Sequence, residues 1–146
     1  MKKVAIALLF FISTAYRSQS RHELDSLLNL LKKNPPLDTQ FVRNCNSIAY
    51  AFSRLNPDSS KIFTDKALTQ ATKLNYKNGI AGAFNSLGIY YHLQARYDSA
   101  LIYYAKAISI KEKTGDKKGV VSSQNNMGII YYSQGKYDKA LQTFNA

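Results

Sequence analysis

Apolar residues recur at helical spacing through the second half of the chain. Between residues 80 and 91 they step by four, three and four positions, which places them on one face of a helix. The same steps recur between residues 97 and 108, after a short polar stretch. The apolar positions are Ile80, Phe84, Leu87 and Tyr91, then Tyr97, Leu101, Tyr104 and Ile108. The pattern predicts two helices joined by a tight turn.

A repeat with a period of forty residues organises this region. Residues 79–106 align with residues 119–146, and ten of the 28 aligned positions are identical. The identical residues of the first copy are Gly79, Asn85, Gly88, Ile89, Tyr91, Gln94, Tyr97, Asp98, Ala100 and Leu101. The same offset extends backwards with lower similarity. We therefore expect two clear repeats, 77–116 and 117–146, after a degenerate helix pair over 38–76.

The residues before the first clear repeat predict three more helices. Residues 21–33 place four leucines on one helical face, and two prolines end that pattern. A second helix is expected over 38–54. Asn56-Pro57-Asp58 then predicts a helix start, with Asn as N-cap, Pro in the first position and Asp in the first turn. We expect the third helix over 57–74, and we expect residues 21–33 to cap the apolar side of the first pair.

The N-terminus has the pattern of a secretory signal peptide over residues 1–18. Two lysines precede nine consecutive apolar residues, 4–12, and small and polar residues follow. The apolar run is shorter than the roughly 20 residues that span a bilayer. Cleavage after Ala15 and cleavage near Ser18 both fit the pattern. A buried core helix and an uncleaved signal anchor are the alternatives.

The composition is that of a globular protein. Hydrophobic residues make up 45% and charged residues 20%, which excludes a disordered chain, a collagen and a disulfide-rich miniprotein. The 20 basic and nine acidic residues give a net charge of +11. Removal of residues 1–18 leaves 17 basic residues and a net charge of +8. Lys106, Lys111, Lys113, Lys117 and Lys118 cluster in one region, which predicts a solvated rim or a contact with an anionic partner.

Candidate chemistry is sparse. Cys45 is the one cysteine, and its helical context predicts a small buried residue and no internal disulfide. His22 and His92 lie seventy positions apart, without acidic or cysteine neighbours at metal-ligand spacing. No nucleophile, acid–base or phosphate-loop motif is present in the sequence. We expect no catalytic residues, no metal and no cofactor.

The repeat resembles the tetratricopeptide repeat family. The resemblance rests on Phe84, Leu87, Gly88, Tyr91, Ala100, Tyr104 and Ala107, and on Met127, Gly128, Tyr131, Ala140 and Phe144 in the second copy. The usual tryptophan is Phe84 or Gln124, Glu112 replaces the closing proline, and the period is longer than 34 residues. The resemblance covers residues 40–146. It implies an all-α, right-handed solenoid of antiparallel helix pairs, with about two and a half repeats.

The family resemblance also implies a groove that binds a protein or peptide, lined by the first helix of each pair. Transferred to this sequence, the groove carries Asn85, Ile89, His92, Asn125, Ile129 and Tyr132, with Cys45, Ala49 and Phe52 from the degenerate pair. The repeated asparagine has two interpretations, since it could hold a peptide backbone or bridge neighbouring helices. The groove positions are neutral, so a clamped C-terminal carboxylate is not expected.

Two functional hypotheses follow from the resemblance and the N-terminus. The first is the extracytoplasmic input region of a longer bacterial signalling protein, such as a sensor histidine kinase, on the outer side of the inner membrane. Counting from the preceding repeat, the last helix would need seven more residues, so we expect the third repeat to be truncated. A naturally short final helix is the alternative. The alternative is a self-contained, secreted adaptor protein. Anionic lipid, envelope polysaccharide or an acidic protein are the expected partners of the basic rim, and nucleic acid is not expected. Membrane attachment would need a further C-terminal segment or an uncleaved anchor.

Overall fold

The computed structural model describes residues 25–26, 28–29 and 37–145. Two compact units, Met1–Pro35 and Pro36–Ala146, divide the chain. In the first unit, residues 25–26 and 28–29 are helical. The rest of the predicted capping helix, 21–33, and the predicted signal peptide, 1–18, lie outside the described residues.

Residues 37–145 form helices joined by short turns, and this part of the chain contains no strand. The helices are α1 (Thr39–Phe52), α2 (Pro57–Lys73), α3 (Lys77–Leu93), α4 (Tyr97–Thr114), α5 (Lys117–Ser133) and α6 (Tyr137–Phe144). Every helix packs against the next one in sequence, so the chain forms three antiparallel pairs, α1–α2, α3–α4 and α5–α6. The predicted all-α solenoid is confirmed.

The first helices of the pairs form the inner row of the solenoid. Helix α3 contacts both α1 and α5, whereas the second helices, α2, α4 and α6, make no such contacts with one another in the described part of the chain. Because the first helices lie closer together than the second helices do, the array curves toward the first helices. This inner row is where the sequence predicts the binding groove.

Local capping residues fix where several helices begin. The Asp38 side chain accepts a hydrogen bond from the Phe41 amide at 2.9 Å at the start of α1. Asn56 accepts from the Ser59 amide at 2.9 Å before Pro57, as the sequence predicts. Asp116 caps α5 in the same way, through the Gly119 amide at 2.9 Å. Each cap satisfies an amide that the helix itself leaves unpaired.

A left-handed residue ends four of the helices. Gly115 and Gly135 have φ angles of 74° and 71°, and Asn75 and Ala95 have φ angles of 50° and 56° at the positions forty residues earlier. In each turn, the next amide bonds back to a carbonyl five residues before it, as in Tyr76 to Ala71 at 2.8 Å. This bond pattern caps the helix C-terminus. The turns therefore share one backbone shape although only two of them contain glycine.

Small residues let the two helices of a pair approach closely. A Cβ atom on Gly88 would lie 2.4 Å from Cε1 of Tyr104, and one on Gly128 would lie 2.4 Å from Cε1 of Phe144. Tyr104 is fully buried, in a cluster with Ala100 and Ile130. The repeated aromatic residues Tyr104 and Phe144 thus fill the space beside a glycine. No described helix is long and apolar enough to cross a membrane.

Candidate functional site

The first helix pair does not contribute its predicted residues to an open groove. Cys45 and Ala49 are fully buried, so their assignment to the groove is wrong. The Ala49 carbonyl accepts a 2.7 Å hydrogen bond from the Ser60 hydroxyl, which shows that this side of α1 faces α2. Phe52 is half-buried and stacks on Phe63 at 6.2 Å between ring centroids.

The burial of Cys45 agrees with the prediction, made from its helical context, that it is a small buried residue. Burial raises the pKa of the Cys45 thiol to about 11, and the charge of Lys66 opposes this shift in part. A thiol with a raised pKa carries little thiolate near neutral pH, so it is a weak nucleophile. Cys45 is therefore part of the packing between helices.

Asn85 on α3 is directed toward the neighbouring helix. The Ser123 hydroxyl on α5 lies 3.0 Å from Asn85 Oδ1 and donates to it, and Asn85 is half-buried. The structure therefore supports the helix-bridging interpretation for Asn85. Asn125, its counterpart forty residues later, is exposed on α5. Asn125 remains accessible to a bound peptide.

Lys111 forms the centre of a buried polar network that the sequence did not reveal. It is 7% exposed, so its assignment to a solvated rim is wrong. Its ammonium donates to the Gly119 carbonyl at 3.0 Å and to the Ser123 hydroxyl at 2.9 Å. Desolvation lowers the pKa of Lys111, and the Asp116 carboxylate partly opposes this. The network joins α4 to α5 and, through Ser123, reaches Asn85 on α3.

A signal for this network exists in the repeat alignment. The positions forty residues before Asn85, Lys111 and Ser123 hold Cys45, Ala71 and Ala83. Small apolar residues at all three equivalent positions indicate buried sites. Their joint replacement by polar residues indicates a hydrogen-bonded group, because buried polar side chains need partners.

Two groove positions of the second pair lie at the end of α3. Ile89 is half-buried, and His92 is half-buried with its ring 5.9 Å from the Tyr97 ring. Desolvation lowers the pKa of His92, and the nearby positive charge of Arg54 lowers it further. The imidazole is therefore neutral at pH 7 and offers one donor and one acceptor.

The third pair presents the most accessible part of the predicted groove. Ile129 is 45% exposed and Tyr132 is 62% exposed, although both lie on α5 in the inner row. The Tyr132 ring meets the Tyr137 ring edge-on at 5.4 Å, at the same repeat position where His92 meets Tyr97. The structure thus leaves His92, Asn125, Ile129 and Tyr132 accessible on one row of helices, whereas Ile89 packs against the cluster of Ala100, Tyr104 and Ile130.

This surface is suited to recognition of an apolar or aromatic segment. Ile129 and Tyr132 supply apolar contact area, while Asn125 and His92 supply hydrogen-bonding groups at its margins. No group of three His, Cys, Asp or Glu side chains at metal-binding distance occurs in the described part of the chain.

Known protein families and structures agree with this architecture. Residues 79–146 match the model of the tetratricopeptide repeat. The TPR domain of Arabidopsis FLU is similar at a TM-score of 0.64 and 19% identity, over 73% of this chain and 91% of that one. BtubC from P. vanneervenii is similar at a TM-score of 0.70 and 17% identity, over 88% of this chain and 55% of that one. No curated protein matches the sequence.

At these identities the two structures establish the fold and carry no information about a ligand. The family match covers the second and third helix pairs, and the structural similarity extends beyond them. Residues 79–146, slightly less than half of the chain, therefore match the tetratricopeptide repeat, and residues 37–145 share the helical fold of such domains.

Proposed function

We propose that this protein is a non-catalytic scaffold that binds a protein partner through the inner face of α5 and the end of α3. The observation that carries the proposal is the exposure of Ile129 and Tyr132, at 45% and 62%, on the inner row. Burial of large apolar and aromatic side chains supplies most of the free energy of a typical protein interface. Tetratricopeptide repeats are in general protein-interaction modules and not enzymes.

The direct test is a binding selection against the purified full chain with a displayed peptide library. We expect the selected peptides to lose at least about tenfold in affinity for a chain carrying Ile129→Asp and Tyr132→Asp, because each change removes apolar contact area. The matched control carries Ile62→Asp and Ile102→Asp. These isoleucines are 54% and 57% exposed and lie on α2 and α4, the second helices. Equal losses in both variants would contradict the proposal.

The further role that we propose is the extracytoplasmic input region of a longer bacterial signalling protein. Two observations support it. The N-terminal sequence has the pattern of an export signal. The outer face of the third pair is also uncovered, since Phe144 is 45% exposed while its counterpart Tyr104 is fully buried under α5. A further helix pair would cover Phe144 in the way that α5 covers Tyr104.

The alternative is a small secreted adaptor that ends with this pair. The reading frame after the Ala146 codon distinguishes the two proposals. The input-region proposal expects a continued frame that encodes another helix pair, a membrane-spanning segment and a signalling module. A stop codon at that position would contradict it and would leave the adaptor.

A further inference from the structure

Exposed lysines recur at equivalent places in the two turns that join one helix pair to the next. Lys73 and Lys113 lie in the last turns of α2 and α4, and Lys77 and Lys117 are the first residues of α3 and α5. Lys118 follows Lys117, and all five side chains are exposed. Both turns lie at the same end of the antiparallel helices. We call these five residues the lysine edge.

The opposite end of the helices has a different charge pattern. The turns within the three pairs carry Arg54, Arg96 and Lys136, and they also carry three aspartates at one repeat position, Asp58, Asp98 and Asp138. With Lys139 in the first turn of α6, that end carries four basic residues and three aspartates. The lysine edge contains five lysines, with Glu112 and Asp116 as the acidic residues of the same two turns.

The acidic residues near the lysine edge leave most of its charge uncompensated. The Asp116 carboxylate accepts a hydrogen bond from the Gly119 amide at 2.9 Å, as the N-cap of α5. The ion pair found within residues 37–145 joins Lys61 to Asp65 on α2, away from this edge. An excess of exposed positive charge on one edge creates a directed attraction for anions.

Helix stability explains only two of the five lysines. Lys73 and Lys113 lie near helix C-termini, where a positive charge is favourable. Lys77, Lys117 and Lys118 lie in the first turns of α3 and α5, where the helix dipole disfavours a cation. These two first turns contain no acidic residue, whereas the first turns of α2, α4 and α6 contain Asp58, Asp98 and Asp138. The chain therefore places lysines where they oppose local stability.

From this pattern we infer that the lysine edge is a second binding surface, which takes an acidic, extended segment of a partner protein. The lysines repeat along the solenoid, so a chain of carboxylates running across the helix ends would meet them in succession. A protein segment is the occupant that the fold favours, because these repeats serve protein binding, and in this respect the inference rests on the proposed function. The neutral groove of α3 and α5 does not compete for the same ligand.

The test measures binding of a labelled oligo-glutamate peptide to the full chain by fluorescence anisotropy at low ionic strength. The variant carries Lys113→Glu, Lys117→Glu and Lys118→Glu. The control carries Arg54→Glu, Arg96→Glu and Lys136→Glu, an identical change in net charge at the opposite edge. We expect the lysine-edge variant to lose at least about tenfold in affinity, the control to lose much less, and salt near 0.15 M to weaken binding of the wild type by screening.

Three results would overturn the inference. Equal losses in the two variants would show that net charge alone matters. No binding of oligo-glutamate by the wild type would exclude an acidic peptide. Binding to phosphatidylglycerol vesicles above phosphatidylcholine vesicles, lost in the lysine-edge variant and without peptide binding, would assign the edge to a membrane surface instead.

Two further measurements keep these results interpretable. Thermal unfolding by circular dichroism checks that each variant is folded, and Lys113→Gln with Lys117→Gln and Lys118→Gln repeats the test without reversing charge. A chain with Ile129→Asp and Tyr132→Asp should bind oligo-glutamate like the wild type. Loss of groove binding with retained oligo-glutamate binding, or the reverse, therefore separates failure of one proposal from failure of the other.

Discussion

The two junctions between helix pairs share a backbone arrangement and differ in chemistry. At the first junction, Cys45, Ala71 and Ala83 are apolar and fully buried. At the second junction, the equivalent positions hold polar residues that are linked by hydrogen bonds. These residues are Asn85, Lys111 and Ser123, of which Lys111 and Ser123 are buried and Asn85 is half-buried.

One backbone carbonyl receives a side-chain donor at both junctions. Asn46 on α1 donates to the Gly79 carbonyl at 3.0 Å, and Lys111 on α4 donates to the Gly119 carbonyl at 3.0 Å. The donors come from different helices, yet they reach equivalent atoms. A junction of this fold therefore accepts either apolar or polar side chains at these positions. The second junction is the more vulnerable, because desolvating an ammonium group is costly.

The largest effect on stability is expected when a buried lysine, like Lys111 at the second junction, is introduced at the first junction. Ala71→Lys would bury an ammonium group at a fully buried position, without the hydroxyl that Lys111 meets, because Ala83 stands where Ser123 stands in the second junction. We expect a loss of about 3–5 kcal/mol in the free energy of unfolding, measured by urea denaturation, because an uncompensated buried charge is strongly destabilising. Adding Cys45→Asn and Ala83→Ser should restore part of this loss. A loss below about 0.5 kcal/mol for the single change, the usual size for an exposed site, would contradict the comparison.

The buried charge also predicts how the stability of the second junction depends on pH. The pKa of Lys111 is below its usual value of 10.5 in the folded protein. Between the folded and unfolded pKa values the unfolded chain binds more protons, so the contribution of Lys111 to stability rises as pH increases toward 10.5. Lys111→Met removes this titration. The stability of the wild type relative to Lys111→Met should therefore increase with pH in alkaline buffer, and an unchanged difference would show that Lys111 is solvated.

A moderate effect is expected when the bridging hydroxyl is removed. Ser123→Ala takes away one acceptor of Lys111 and the donor to Asn85. We expect a loss of about 1 kcal/mol in the free energy of unfolding, since net hydrogen-bond contributions cluster near that value. Ser122→Ala, at an exposed neighbouring position, is the matched control and should change little. Equal losses of stability for the two substitutions would show that the hydrogen bonds of Ser123 do not stabilise the fold.

The smallest effect concerns the turns at the two junctions. Asn75 and Gly115 occupy equivalent positions, with φ angles of 50° and 74°. Gly115→Asn should change stability by less than about 0.5 kcal/mol, because asparagine tolerates this backbone region and no atom lies within 4 Å of an added Cβ. Gly115→Val should lose about 1–2 kcal/mol, since a side chain with a branched Cβ is strained there. Equal thermal stability of the two variants would contradict the shared turn shape.

Features encoded locally were predictable from the sequence. The Asn56-Pro57-Asp58 triplet specifies the start of α2, and that helix ends at Lys73, one residue before the predicted end. Helix α1 covers Thr39–Phe52 within the expected 38–54. Helix capping and apolar periodicity depend on residues close together in the sequence, so both can be predicted without knowledge of the fold.

Burial of individual residues was less predictable, because it depends on helices distant in sequence. The repeat alignment places Cys45 and Ala49 at groove positions, but α2 and α3 pack around α1 and cover them. The clustering of lysines in the sequence predicts that Lys111 lies on a solvated rim. In the structure, its ammonium group instead donates hydrogen bonds to Ser123 and to the Gly119 carbonyl on the next helix. The family motif assigns Ile129 and Tyr132 to the groove, and the structure shows that both are exposed, while their role in binding stays a prediction.

The central claim is that the inner row of helices is the binding surface. Chemical-shift mapping of the ¹⁵N-labelled full chain, titrated with a peptide selected for binding, tests it most directly. The account predicts that the largest amide shifts occur at His92, Asn125, Ile129 and Tyr132 on α3 and α5. Largest shifts around Ile62 and Ile102, on the second helices α2 and α4, would contradict it.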